Sequence, residues 1–536
     1  MSARFDVVVI GAGANGLVAA TVLARSGLKV SLLERADAPG GQGRAVEFAP
    51  GFRAAPLGLD PGWLPPSVAR AAGLEGLERA SGDCALSVAI EPGRFLTLAR
   101  EPGRAAEAIR AHSAADAAKW PAFTARLAAL TGFLGTLYQV PAPDIDAQAP
   151  GELLGLLDLG RKFRALGRTH MVELLRTLPM SVWELVDDWF ENPSLKAAVA
   201  AGGILDHQQG PRSGGTGFVL LHHLVGTPAG SVRGRLPWRD GPEAFTDAAL
   251  RAAQAAGVAI RTSAQVARIR VAQDAVEGVT LVGGEEIAAG AVLSTADPAQ
   301  TLLDWVDPVW LDPDFLNAVR NIRHRGCTAF VLHALDGPPG LSGLSQEALA
   351  GTVSFSGNLV AMERAADSAK YGAISRDPHV ELTVPTLSQP ALAPEGRHVV
   401  VARAQYAPYR LRPSAGWTAA DREVLSNTVN AAIERYAPGF GSRVLHRVVW
   451  SPHDLEERFG LHEGAASQGE LGLDQILFMR PVAGYGRHAT PIAGLYLGGA
   501  GTHPGPGILG GAGHLAAQRL MRDRRGQGKG QGASTS

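Results

Sequence analysis

Residues 6–41 read DVVVIGAGANGLVAATVLARSGLKVSLLERADAPGG, and the order of their chemistry decides the fold. Asp6–Ile10 is a short apolar, β-branched run, the pattern of a strand buried on both faces. Gly11, Gly13 and Gly16 follow at the spacing G-x-G-x-x-G, and Leu17–Ser26 reads as an Ala- and Leu-rich helix ended by Gly27. Leu28–Leu33 is a second strand, closed by Glu34. Each residue type has its own task. Gly11 permits the tight turn, Gly13 lets the backbone approach a pyrophosphate, and Gly16 lets helix and sheet pack closely. The helix start offers unpaired N–H groups to phosphate, and Glu34 offers acceptors to ribose hydroxyls. Strand, glycine loop, helix and acid at these distances predict a dinucleotide site in an α/β fold.

A second copy of the spacing, Gly505, Gly507 and Gly510, lies in GGAGTHPGPGILGGAG at 498–513. Leu495–Leu497 before it is strand-like and Gly513–Met521 after it is helical, but no further strand and acid follow. This copy is therefore expected to serve the other end of the same dinucleotide. Gly499, Gly501, Gly507, Ile508 and Gly510 would then lie beside the N1–C2=O edge of a flavin, where a helix dipole stabilises the reduced ring.

The N-terminal pattern continues through Ala20, Leu23, Gly27, Val30 and Glu34 to Gly40-Gly41. That longer pattern resembles the FAD fingerprint of the glutathione-reductase-like flavoproteins and favours FAD over NAD. The stretch LYLGGAGTHPGPGILGGAG at 495–513 resembles the signature of the phytoene desaturase-like flavoproteins, which include carotenoid desaturases, carotenoid isomerases and retinol saturases. Thr216–His223, Ala291–Pro298 and Leu455–Pro481 resemble one branch of them, that of pyridine nucleotide-disulphide oxidoreductase domain-containing protein 2. The resemblance runs from about residue 5 to about residue 522. Two departures stand out. Ser467-Gln468-Gly469 replaces a Phe-His-Gly of that branch, which removes a candidate histidine. Gly241-Pro242 replaces a Gly-Gly, a benign change because Pro suits the first turn of a helix.

The resemblance implies a glutathione-reductase-like FAD-binding Rossmann domain assembled from residues 1–75, 241–300 and 450–525. A mixed α+β substrate domain would come from 76–240 and 301–449, with 526–536 a disordered tail. Val266 falls where relatives hold the adenine. The implied activity is FAD-dependent dehydrogenation (desaturation) of a hydrophobic, carotenoid- or lipid-like substrate by hydride transfer to flavin N5. Saturation or isomerisation stays open, as does the electron acceptor, with oxygen or a quinone as candidates. Two further readings stay open: an amine oxidase-like flavoenzyme, and a flavin-binding interaction protein without turnover.

Composition bounds the rest. The chain has 536 residues, 46% hydrophobic and 19% charged, with a formal net charge of −1, so nothing favours nucleic acid as a partner. Its two cysteines, Cys84 and Cys327, show neither metal spacing nor the paired spacing of a redox disulfide. No apolar run reaches the roughly 18–20 residues that span a bilayer, and the start passes directly into a strand, so a cytoplasmic location is expected. Gly155–Leu178 mixes leucines with Arg161, Lys162, Arg164, Arg168 and Arg176, a pattern that suits peripheral membrane contact, a solvated face or a subunit contact. Helical patterns over Ala105–Ala129 and Glu152–Leu178 suit an apolar channel.

For chemistry, His503 sits in the second glycine loop and is the leading acid/base candidate. One of His222 and His223 is expected to face the pocket, with His223 preferred, and Glu470 joins them as a polar candidate. Asp474 and Arg480 read as an ion pair that fixes the loop. Arg44, just past Gly40-Gly41, is a candidate for the flavin phosphate or ring. No metal ligand set is expected.

Overall fold

A computed structural model describes residues 4–58, 60–144, 150–233, 235–355, 357–412 and 416–532. At its centre five parallel strands lie in the order Leu495–Leu497, Val292–Ser294, Val7–Ile10, Val30–Leu33 and Ala259–Arg261. Three distant stretches of chain thus build one sheet. The first four of these strands are buried throughout, as their β-branched and leucine content requires of a sheet covered on both faces.

One face packs under the helices Ala14–Arg25, Ala244–Ala255 and Gly511–Gly532, with Val7, Val9, Leu293, Leu17 and Leu520 among the contacts. The other face meets an antiparallel meander, Val266–Ala272, Ala275–Leu281 and Glu286–Ala288. There Val8, Ile10, Val292 and Leu497 pack on Ile269 and Val279. Neighbouring residues of one strand serve opposite cores, which is the period of two at work. The C-terminal helix runs to Gly532, where an unstructured tail was expected from 526 onward. A helix already anchored on the sheet extends at little cost, because nucleation is the expensive step. Residues 533–536 lie outside the described residues.

The second sheet has seven strands in the order Val444–Trp450, Thr328–Leu335, His398–Gln405, His379–Thr383, Thr352–Phe355, Cys84–Glu91 and Arg94–Ala99. Only the Thr352–Phe355 and Cys84–Glu91 pair is parallel. One face buries Val331, Val400 and Ala402 with Leu425 and Val429 of the helix Ala419–Glu434. The other face buries Phe330, Leu332, Val399 and Val401 with Phe52 and Ala54. On that same face the pairing sets Glu381 opposite Arg403 and His379 opposite Gln405. A charged row therefore continues an apolar one along a single surface.

The segment between the first two pieces of the parallel sheet folds as a helical layer. Pro102–Arg110, Ala114–Leu137, Val182–Trp189, Pro193–Ala200 and Thr216–Leu224 converge on Trp120, Phe123, Phe190 and Leu220. Phe123 and Phe190 meet edge to face with ring centroids 4.8 Å apart. Trp120, Phe123 and Phe190 are buried within this core, and Leu220 reaches from it to a chamber wall described below.

Candidate functional site

A cleft of about 1670 Å³, counted to its open mouth, runs over the carboxyl ends of the parallel strands. The loop after the first strand forms its middle. Gly11 sits at φ +93° and donates its N–H to the Leu33 carbonyl at 2.8 Å. A Cβ on Gly16 would lie 1.7 Å from the Gly11 carbonyl oxygen, so the loop can enter the helix only with hydrogen there. A Cβ on Gly41 would lie 3.2 Å from Gly13 Cα, which makes this wall bare backbone on both sides. The helix Ala14–Arg25 begins with no side-chain cap, so its first N–H groups face the cleft uncapped. Glu34 is buried at the end of its strand and accepts from the N–H groups of Ala12 at 2.7 Å and Ala36 at 2.9 Å. A carboxylate has about four lone-pair positions, so acceptor capacity remains for hydroxyls. Gly40 and the buried Val266 line the same cleft. An anion cradle, a bare-backbone wall and a buried acid together fit the pyrophosphate and ribose of FAD.

Gly505, Pro506, Gly507, Ile508 and Leu509 line this same cleft, on the sheet edge away from Glu34. The two glycine motifs border one cavity. Their glycines divide by task, however. Gly510 and Gly513 lie in the helix crossing: a Cβ there would come within 2.5 Å of Val18 Cγ2 and 2.0 Å of the Asn15 carbonyl oxygen. Gly499 and Gly501 sit behind the cleft wall, where a Cβ would meet Gln468 Oε1 at 2.4 Å and Pro298 Cδ at 2.4 Å. Of the neighbouring positions it is Ala500 that lines the cleft. Gln468 stands where the resembled branch carries histidine. It donates to the Thr295 carbonyl at 3.2 Å and accepts from the Gly501 N–H at 2.9 Å, so it braces the second loop against the first.

Several expected site residues are brought elsewhere. His503 is fully buried behind its loop, and its Nε2 donates to the carbonyls of Val140 at 3.0 Å and Leu137 at 3.2 Å. Burial holds this imidazole down at about 4, so it is a neutral anchor and lines neither the cleft nor the chamber described below. Glu470 lines neither as well. It is buried, pairs with Arg325 and accepts from the Gln208 N–H at 3.1 Å. Burial alone would raise its carboxyl, but His207 and Arg325 hold it below the ordinary range. Asp474 pairs with Arg323 at 2.6 Å, and Arg480 has a different role. Its buried guanidinium donates to the carbonyls of Ser467 at 2.6 Å, Ala500 at 2.9 Å and Gly469 at 3.1 Å, tying two loops together. Arg44 forms a partly exposed pair with Asp37 at 2.7 Å, outside the cleft lining, where Gln42 and Gly43 stand instead. A long exposed side chain finds a partner on its own loop more cheaply than it reaches inward.

His222 and His223 separate as adjacent helix residues do. His222 Nε2 donates to the Pro506 carbonyl at 2.9 Å, and its Nδ1 lies 2.8 Å from the Tyr138 hydroxyl. The carbonyl can only accept, so Nε2 carries the proton and Tyr138 donates to Nδ1. The loop is pinned a second time by Trp63, whose N–H donates to the Gly507 carbonyl at 2.8 Å. His223 instead lines a chamber beside the cleft.

That chamber shares Gln42, Leu57, Asp60, Ala466, Pro506 and Gly507 with the cofactor cleft. Inward it passes His223, Asp206 and Arg403 and ends among Arg233, Arg235 and Glu381. Its wall sets these charged groups among Leu205, Leu220 and Leu224, while a separate, mostly apolar cavity lies in the helical segment, lined by Leu137, Val140, Leu156 and Leu159, where an apolar channel was expected. Arg235 pairs with Asp60 at 2.7 Å and donates to the carbonyls of His223 at 2.9 Å and Val225 at 2.7 Å, capping the His222–His223 helix. Burial would raise the Asp60 carboxyl, but the Arg235 charge holds it at about 2. Arg233 at 2.6 Å and Arg403 at 2.5 Å converge on one Glu381 oxygen. The sequence did carry a signal for these groups: Glu381 and Arg403 interrupt the otherwise β-branched runs HVELT and HVVVARAQ.

The basic segment noted above folds as the helices Pro150–Ala165 and Gly167–Thr177. Leu154 and Leu157 are each 65% exposed, and Leu153, Val172 and Leu175 are exposed beside them. No helix among the described residues is long and apolar enough to cross a membrane.

Residues 15–399 match the family described as flavin containing amine oxidoreductase. The chain belongs to this family. It is 32% identical to pyridine nucleotide-disulfide oxidoreductase domain-containing protein 2 of Rattus norvegicus, over 97% of this chain and 94% of that protein. It is 26% identical to the neurosporene-forming phytoene desaturase of Rhodobacter capsulatus, over 96% of this chain and 93% of that one. The structure of cyclohexylamine oxidase from Brevibacterium oxydans superposes with a TM-score of 0.56 at 15% identity, covering 98% of this chain and 100% of the other, which shows a common fold. The protein is thus an FAD-dependent oxidoreductase, with the parallel sheet and mixed α/β architecture of its family.

Proposed function

We propose that the enzyme dehydrogenates a small polar substrate held in the charged chamber, with His223 as proton acceptor. The observation that carries this reading is the chamber itself, which adjoins the cofactor cleft and is bordered by Asp60, Asp206, Arg233, Arg235, Glu381 and Arg403. A bare hydrocarbon would displace water from these groups and pair with none of them, whereas a polar molecule can pair with several. His223 borders both halves of the chamber, and its Nε2 has no hydrogen-bond partner in the protein. Burial and the neighbouring His222 hold the imidazole well below its ordinary value, so it is neutral at pH 7 and can take a proton at Nε2. FAD, when bound, supplies the hydride acceptor. Gly11, Gly13, Gly16, Glu34, Gly40, Gly41, Val266, Gly507 and Ile508 are the residues assigned to hold it. His222, Trp63 and Arg480 fix the loops that meet it.

Desaturation of a hydrophobic, carotenoid- or lipid-like substrate is a second reading, supported by the full-length similarity to phytoene desaturase. Anaerobic mixing of the holoenzyme with two panels separates the two. Bleaching of the visible flavin bands by small amines, amino acids or hydroxy acids supports the first reading. Bleaching only by carotenoids or extracted lipids overturns it in favour of the second. Peripheral contact of the Pro150–Thr177 helices with an anionic membrane is a separate proposal, supported by exposed leucines beside Arg161, Arg164 and Arg168. Co-sedimentation with anionic but not neutral vesicles is the result expected, and failure with both removes it.

A further inference from the structure

The chamber has a second imidazole, and a carboxylate stands behind it. His207 is buried and lines the outer half, the half that adjoins the cofactor cleft. Its Nδ1 stands 3.5 Å from Glu470 Oε1 and has no formed hydrogen bond among the described residues. In free enzymes acid–base contacts are often this long and tighten when substrate binds. With Nδ1 turned to the carboxylate, Nε2 on the far side of the ring is the nitrogen left for the chamber. Glu470 divides its two oxygens between tasks. Oε2 takes the Arg325 guanidinium, whose Nε lies 3.1 Å away, and Oε1 takes the Gln208 N–H at 3.1 Å besides facing His207. Its burial, which favours the neutral acid, is outweighed by His207 and Arg325, so it is a carboxylate at pH 7. The backbone holds both residues in place. Gln405 Nε2 donates to the carbonyls of Ile204 at 2.7 Å and His207 at 2.9 Å, which clamps the His207 turn onto the seven-stranded sheet. Asp206 and Gln468, non-glycine residues beside the pair, take left-handed conformations at φ +53° and +52°. Strain of this kind is kept where it serves a site.

The surrounding charges decide where a proton rests. Around His207 stand the carboxylates of Glu470 and Asp206. Arg325 pairs with the first, and Arg403, on the same chamber wall, is bound to Glu381. Arg323 comes only within 3.8 Å of Glu470, because Asp474 holds it. Burial pushes the nearby Cys327 thiol up, so it stays neutral. A proton on His207 therefore meets a carboxylate almost at contact. A proton on His223 meets burial, His222, Arg235 and Arg403, with Asp60 in its favour.

We infer that His207 and Glu470 form a proton-accepting pair: the carboxylate holds the Nδ1 proton, and Nε2 takes a second proton from the chamber. The inference rests on the polar-substrate reading and deepens it by naming where the proton goes. As the substrate C–H bond gives up its hydride to FAD, the N–H or O–H proton passes to His223 Nε2 and the C=N or C=O bond forms. The new N–H bond at His223 then breaks as one forms at His207 Nε2, where the imidazolium pairs with Glu470. Glu470 acts through His207 and is a positioning residue.

The test begins with nitrogen NMR of the oxidised holoenzyme carrying isotope-labelled histidine, the His207 signals being those that His207→Gln removes. The pair requires the single proton of the neutral ring on Nδ1. Uptake of the second proton should move to lower pH in Glu470→Gln. It should move to higher pH in Arg325→Gln, because the carboxylate is then no longer shared. Arg325 is partly exposed, so its variant keeps the test decisive if Glu470→Gln does not fold. A neutral ring protonated on Nε2, or a titration that a folded variant leaves unmoved, overturns the inference. A second arm mixes the enzyme anaerobically with ethylamine, alanine and lactate in turn, in weakly buffered phenol red, and follows flavin bleaching and proton release together. In the wild type bleaching should precede release. In His207→Gln, with flavin content retained, the two should coincide and bleaching should slow about tenfold. Coincidence in the wild type, or unchanged retention in His207→Gln, overturns the inference. Failure of the polar-substrate reading looks different: lipids alone bleach the flavin, while the His207 signals still titrate as described and the pair stands.

Discussion

The cofactor cleft and the charged chamber share six lining residues, yet they are built by opposite means. The cleft is a backbone site. Its decisive feature is the absence of side chains at Gly13, Gly16 and Gly41, all close together in sequence. The chamber is a side-chain site. Its groups come from residues 60, 206, 223, 233, 381 and 403, and no two of the segments that carry them have meaning alone. A backbone site depends on local spacing, whereas a side-chain site depends on the tertiary fold.

Four experiments would break or sharpen that contrast. The largest effect is expected at Gly16→Ala, because its Cβ has nowhere to go but into the Gly11 carbonyl. Flavin absorbance per mole of soluble protein should fall to near zero, and normal occupancy would disprove the backbone account. Acid should act next, through the buried neutral histidines that pin the second loop. Burial holds His222 at about 3 and His503 at about 4, and it holds His488, whose Nδ1 donates to the Leu497 carbonyl at 2.9 Å just before that loop, at about 3. The unfolded chain takes up protons below about pH 6.5 while these three do not, so stability falls as pH drops from 6.5 toward 4. His324, held up by Asp297 against the pull of burial, works the other way. Burial holds His223, His333 and His379 down as well, so they add to the loss. Stability read from denaturant midpoints should therefore fall by on the order of several kcal/mol between pH 7.5 and 5.5, and a flat profile would show that these histidines are not held neutral by the fold.

A smaller effect, confined to the chamber, is expected of His223→Asn. Reduction of the bound flavin by a bleaching substrate should slow about 100-fold, while flavin content stays the same. Loss of flavin together with rate would mean that chamber and cleft are not separable. The smallest effect is expected of Arg44→Ala. Its ion pair with Asp37 is partly exposed, so flavin affinity should not change by fluorescence titration, and a large drop would return Arg44 to the cleft.

How much was legible follows from the same contrast. Gly11, Gly13, Gly16, Glu34 and Gly40-Gly41 could be placed from spacing because strand, turn and helix geometry are local. The fold class came with them. The roles of Gly499, Gly501 and Gly510 were misread because glycine serves close packing and ligand approach with the same spacing. His503 was misread for a related reason: its neighbours Leu137 and Val140 lie more than 350 residues away, and nothing near His503 announces them. Asp474 was expected beside Arg480, but it found Arg323, while Arg480 found carbonyls. Glu381 and Arg403 were readable in principle, as charges on the inward phase of central strands, and their pairing across the ladder was not.

The strand Leu495–Leu497 closes one edge of the parallel sheet, and the loop after it completes the cleft. On the ribosome this gives the protein an unusual schedule. The glycine fingerprint that first meets the dinucleotide emerges within the opening tenth of the chain, but the wall opposite it is among the last parts made. At about 5–20 residues per second the interval is on the order of a minute. The nascent Val7–Ile10 and Val30–Leu33 strands gain their outer neighbours, Val292–Ser294 and Ala259–Arg261, about midway through that time. Flavin loading is therefore an act of completion: the cleft has both walls only once the segment 495–509 has joined the sheet.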